Sequence, residues 1–223
     1  GVDTLFKAAS DKVQQYADKA YETAGMSANE YMNTVTSFSA SLLQSLEGDT
    51  EAAAQKADQA ITDMADNANK MGTSMEMIQN AYQGFAKQNY TMLDNLKLGY
   101  GGTKEEMQRL LKDAEKLSGV KYDLSSYADI VDAIHVVQTE MGITGTTARE
   151  ASTTIQGSVA SMKGAWQNLV TAIAADGWDI GVYVDNFVSS VKVVGQNVIP
   201  RVQQILSGIG ELVTAIAPMI AQE

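Results

Sequence analysis

Apolar residues fall three and four apart along most of this chain, and the runs open on capping signals and close near glycines. Positions so spaced share one side of an α-helix, so the pattern predicts a succession of amphipathic helices. Leu5, Phe6, Ala9, Val13, Tyr16, Ala20 and Tyr21 give the first stripe, ended by Gly25. Ser27 with Glu30 forms a capping box that opens a second helix over Tyr31, Val35, Phe38, Leu42 and Leu46. An Ala-rich helix follows over 50–71, where Ala53, Ala57, Ala60, Ile61, Met64 and Ala68 allow close approach but promise little burial. Further boxes at Thr73/Glu76, Thr103/Glu106 and Ser126/Asp129 predict helices with Ile78, Tyr82 and Phe85, then Met107, Leu110 and Leu111, then Ile130, Ile134 and Val137 inward. Gly84 lies inside the first of these three and weakens it by about 1 kcal/mol relative to Ala.

A fifth box, Thr147/Glu150, is expected to start one unbroken helix over 147–176 around which the chain is organised. Its stripe is Ala151, Ile155, Val159, Met162, Trp166, Leu169 and Ile173, opposed by Ser, Thr, Gln and Asn rather than by charges. Such a helix suits packing on more than one surface, or repacking between two states. The main strand-like competitor is 178–184, where Asp176-Gly177 turns the chain and β-branched residues follow.

Beyond lies a charge-poor region. Val184, Val188, Val191, Gly195, Val198, Val202, Ile205, Ile209, Leu212, Ile216 and Met219 alternate steps of four and three, a heptad seam. Leu206 and Val213 widen it toward a third column, which favours a bundle or several chains over a two-stranded coil. The seam is expected to join copies of the chain or to dock on the preceding helices. Pro200 is placed to kink the helix or to begin a second one. Apolar runs fall short of the roughly 18 to 20 residues of a membrane span.

A net charge of −11 opposes tight binding to nucleic acid, whose affinity comes largely from Lys and Arg displacing counterions. The chain has no cysteine and one histidine, which excludes disulfides and the usual zinc sets. Residues 1–20 lack a positive start followed by an apolar run, so no secretory signal is expected there. His135, beside Asp132 and near Tyr127, reads as a partly buried structural residue rather than an acid/base site. Gly99-Tyr100-Gly101-Gly102-Thr103-Lys104 has the wrong spacing for a nucleotide-binding loop and reads as a flexible connector. No nucleophile elbow is visible, and neither enzyme activity nor a cofactor is expected. The methionines, Met71, Met75 and Met77 among them, read as core packing more readily than as an adaptable partner surface.

Two segments resemble phage tail tape measure proteins, in that family's order: NYTMLDNLKLGYGGTKEEMQRLLKDAEKL at 89–117 and GITGTTAREASTTIQGSVASMKGAWQNLVTAIA at 142–174. The resemblance implies a structural protein of the tail lumen, assembled in the bacterial cytoplasm, that sets tail length during tube polymerisation and leaves ahead of the DNA. It further implies as partners other copies of the chain, the tail tube protein and tail assembly chaperones. It suggests a hinge at Gly99, Gly101 and Gly102 between helical pairs. The charge-poor region motivates an alternative role, a membrane-active helical module that assists envelope penetration after ejection. The expected fold is all-α: a multi-helix bundle of short helices over 1–176, then a heptad-patterned helical segment over 177–223.

Overall fold

A computed structural model describes residues 1–221, and the fold is all-α, with no strand among the described residues. In chain order the helices are α1 (Val2–Phe6), α2 (Ser10–Thr23), α3 (Ala28–Ser45), α4 (Thr50–Met71) and α5 (Met75–Ala86), then α6 (Lys104–Ser118), α7 (Tyr127–Glu140), α8 (Thr146–Thr153), α9 (Ile155–Ala174) and α10 (Ile180–Ile220). Short 3₁₀ turns occupy Lys7–Ala9 and Leu93–Leu96. The first of these, with Lys7 at φ 47, breaks the predicted first helix in two.

The centre of the body is α4, not the 147–176 stretch. Ten of its side chains are buried, and it touches α1, α2, α3, α5, α7 and α8. The alanines that promised little burial are why: Ala53, Ala54, Ala57 and Ala60 are completely covered because a methyl side chain lets neighbouring helices close in. Around it Phe6, Val13, Tyr31, Leu42, Ile78, Tyr82, Phe85, Leu110 and Ile134 form one continuous core, which ends at Ile143. Met64 and Met107 are buried in it, and Met71 and Met75 pack at its margin. Buried residues of α8 and α9 lie outside that core.

Three of the five predicted caps are present. Ser27 and Glu30 make the full reciprocal box, while Thr103 and Ser126 each accept from the amide three residues on. Glu106 instead turns to Gly101 and Arg109, and Asp129 accepts from the Asp123 amide. Ser74, one residue past Thr73, caps α5. Thr147 caps nothing, because α8 starts at Gly145 in the left-handed region, φ 84.

The predicted 147–176 helix is broken at Thr154, which takes an extended conformation and caps α9 through its hydroxyl. Its apolar stripe also faces differently from expectation. Trp166 and Ile173 are exposed, and the buried side of α9 is Ser158, Ser161, Gly164, Ala165, Asn168, Leu169 and Ala172. Small residues let α9 approach the α2–α3 corner, where a Cβ on Gly164 would sit 2.9 Å from the Tyr21 Cβ and 3.2 Å from the Met26 carbonyl oxygen. Gly164→Val is therefore expected to destabilise the packing of α9 by about 1–3 kcal/mol. Faster proteolysis of the segment after Ile143, with the earlier core intact, would show it.

Candidate functional site

The feature with the clearest functional content is α10, 41 residues long and capped at Asp179, whose carboxylate accepts from the Gly181 amide. The predicted strand competitor at 178–184 is absent; Trp178 stacks on Tyr183 across the helix start. Pro200 and Pro218 both lie inside the helix and end nothing. A proline removes one i→i−4 hydrogen bond, and here each lies in solvent where the freed carbonyl is hydrated.

The first half of α10 packs on α9, and its covered side includes Tyr183, Phe187, Ser190, Val194 and Asn197, a column one residue displaced from the predicted seam. Phe187 meets Trp166 at 5.1 Å between ring centroids, and Asn197 Nδ2 donates to the Ser152 and Thr154 carbonyls. One residue is a 100° turn of the helix, so the seam lies beside the contact rather than in it. Val184, Val188, Val191, Val202, Ile205, Ile209, Leu212, Ile216 and Met219 are all at least 40% exposed in this structure, and Val198 is half-buried. Every residue over 201–220 is exposed. The seam has no partner within the described chain.

The connector glycines are held rather than free in this structure. Arg109 lies 4.3 Å over the Tyr100 ring and donates to the Gly99 carbonyl, while the Tyr100 hydroxyl donates to Asp113. Gly102 passes so close to the Thr91 backbone that a Cβ would lie 2.2 Å from its carbonyl oxygen. Leu93 and Leu96 anchor the segment in the core.

A buried polar layer joins α4 to α7 and α8. His135 Nδ1 lies 2.9 and 3.0 Å from the two carboxylate oxygens of Asp63, which is 1% exposed. Burial pushes the Asp63 carboxyl up to about 6 against the pull of the imidazole, and the hydrogen bond to that carboxylate raises His135. Asp132, the predicted neighbour, instead accepts from Lys56 and Gln59. Gln138 donates to the Asp63 carbonyl, and Asn67 bridges Gln138 to the Leu96 carbonyl. Asp66, fully buried, accepts from the Gly145 and Thr147 amides and so caps α8 from another helix. Sequence reasoning missed Asp63, Asp66 and Asn67, although three polar residues on the inner side of an otherwise apolar stripe were a readable sign.

Asp63 itself is buried, while its partner His135 keeps a third of its side-chain exposure. The largest described cleft, about 740 Å³, lies between the α2–α3 and α4–α5 corners and the start of α9. Its two carboxylates are already engaged, Glu30 by the Ser27 amide and Glu150 by Asn69. No group of three metal-ligating side chains occurs among the described residues, and none of their helices is long and apolar enough to cross a membrane. No family model, curated protein or solved structure matches the chain.

Proposed function

We propose that the chain is a segment of a phage tail tape measure protein, in which α10 contributes length and its seam joins copies of the chain. The observation that carries this reading is a 41-residue helix whose second half is exposed throughout, over 201–220. A helix advances 1.5 Å per residue, so α10 spans about 60 Å and converts residue number into length, as a compact domain cannot. The sequence resemblance over 89–117 and 142–174 supplies the rest: residence in the tail lumen, partnership with tube protein and chaperones, and departure ahead of the DNA. The net charge of −11 suits a protein that DNA must pass without adhering.

The test is made in the phage. Duplicating residues 192–219 directly after Met219 adds four heptads, keeps the seam in register and leaves each contact between α10 and α9 in place. Tails measured by electron microscopy are expected to lengthen by about 42 Å. Unchanged tails would remove α10 from the measuring segment. A second reading, envelope penetration, draws on the same exposed, charge-poor helix; leakage from anionic and neutral vesicles on adding the whole chain, lost on placing Asp at Ile205 and Ile209, would favour it.

A further inference from the structure

We infer that α8 and α9 are two halves of one helix held bent by Asn197, and that release of α10 lets them fuse into a single straight rod. The stripe Ala151, Ile155, Val159, Met162, Trp166, Leu169, Ile173 runs through the break at Thr154 without a slip in phase, as a continuous helix requires. In the bent form that phasing is used only in part: Ala151 and Leu169 are buried, whereas Ile155 and Ile173 are exposed and Trp166 is half exposed against Phe187. A straight helix would line them up with Ala151 on one side.

The bend is made by few groups. Thr154 closes α8 by donating its amide to the Glu150 carbonyl and opens α9 by accepting from the Gly157 amide. Breaking the ladder deprives carbonyls at the end of α8 of their i+4 amides, and such orphaned groups need another partner. Asn197 of α10 supplies it for Ser152, donating to that carbonyl at 3.2 Å; it also donates, at 3.3 Å, to the Thr154 carbonyl, which already accepts from the Ser158 amide as the first bond of α9. A residue of α10 therefore satisfies what the break exposes, and docking of α10 is coupled to the bend.

Gly157 sets the second condition. A Cβ there would lie 2.3 Å from the Glu150 carbonyl oxygen, although positions seven apart in a helix are separated by about 10 Å along the axis. Only glycine permits the bend. In the straight form the same position is an ordinary helix site, where Ala is the better residue. The arm beyond Ile143 lies outside the main core, so straightening costs contacts at its margin, where Asp66 caps α8 and Asn168 accepts from the Ala28 amide, while the core itself stays in place.

The absence of cysteine makes the test direct. Spin labels are placed at Arg149→Cys and Lys163→Cys, both exposed, and read by pulsed electron resonance on the full chain. Fourteen residues of straight helix separate them by about 21 Å, and the bent form holds them closer. Asn197→Ala is expected to raise the population at the longer distance about tenfold, the effect of one net hydrogen bond. Gly157→Ala is expected to make it the main population, with the thermal transition of the body unchanged. The inference is overturned if both variants keep the wild-type distance, or if the wild type already sits at the straight-helix distance. The labels report on the isolated chain, so the result stands apart from the tail-length test.

Discussion

His135→Leu is expected to lower the unfolding free energy, measured by chemical denaturation at pH 7, by about 2–3 kcal/mol. Removing one partner of a buried ion pair typically costs about 3–5 kcal/mol, reduced here because the imidazole keeps a third of its exposure. The variant leaves the buried Asp63 carboxyl without its donor.

The wild type has its own pH dependence with a definite sign. His135 is raised above its ordinary value, so its contribution is full below the unfolded pKa, about 6.5, and is lost as pH rises through the folded one. Asp63 is raised as well: above its unfolded value the native state holds a proton that the unfolded chain has released, and stability falls as pH climbs to about 6. Burial raises Asp58 and Asp18 in the same sense. Melting temperature is therefore expected to fall from pH 5 to pH 8, and Asp63→Asn should flatten the slope. A melting temperature that rises over that interval would contradict the assignment.

Replacing Ile205 and Ile209 together by Asp is expected to abolish self-association while leaving the melting of the body unchanged. The two outcomes separate because neither side chain touches the rest of the chain, at 62% and 53% exposure. Two successive carboxylates in an apolar seam each add a desolvation cost of several kcal/mol to any assembly that buries them. Sedimentation equilibrium of wild type and variant reads the first outcome, and calorimetry the second. Equal sedimentation would show that the seam is not a contact between copies.

Helix existence was legible wherever a cap and a stripe coincided, as at Ser27 with Tyr31 and Val35, or at 50–71 before Gly72. The centre of the molecule was not. Apolar content ranks an Ala-rich helix low, yet centrality follows from how near neighbours can come, which favours Ala57 and Ala60 over larger side chains. The partners of Asp63 and Asp66 were out of reach for a related reason: His135 and Gly145 lie 72 and 79 positions away, beyond any local pattern. The break at Thr154 was hidden because the periodicity continues through it, and a stripe says which residues share a side without saying that one helix carries them. On α10 the three/four alternation occurs in two adjacent columns. The larger residues drew attention to the seam, whereas the column with Ser190 and Asn197 makes the contact.

The core closing at Ile143 sets an order of events on the ribosome. Every element of that core precedes the arm, so the body can fold before α10 is complete, the residues from Thr144 to Ile220 taking about 4–15 s at 5–20 residues per second. The seam of α10 then emerges from a chain whose core is already formed. If the seam joins copies as proposed, the nearest matching surface on a polysome is the same helix on the neighbouring nascent chain, and pairing of sister copies then competes with capture by anything that must diffuse to it.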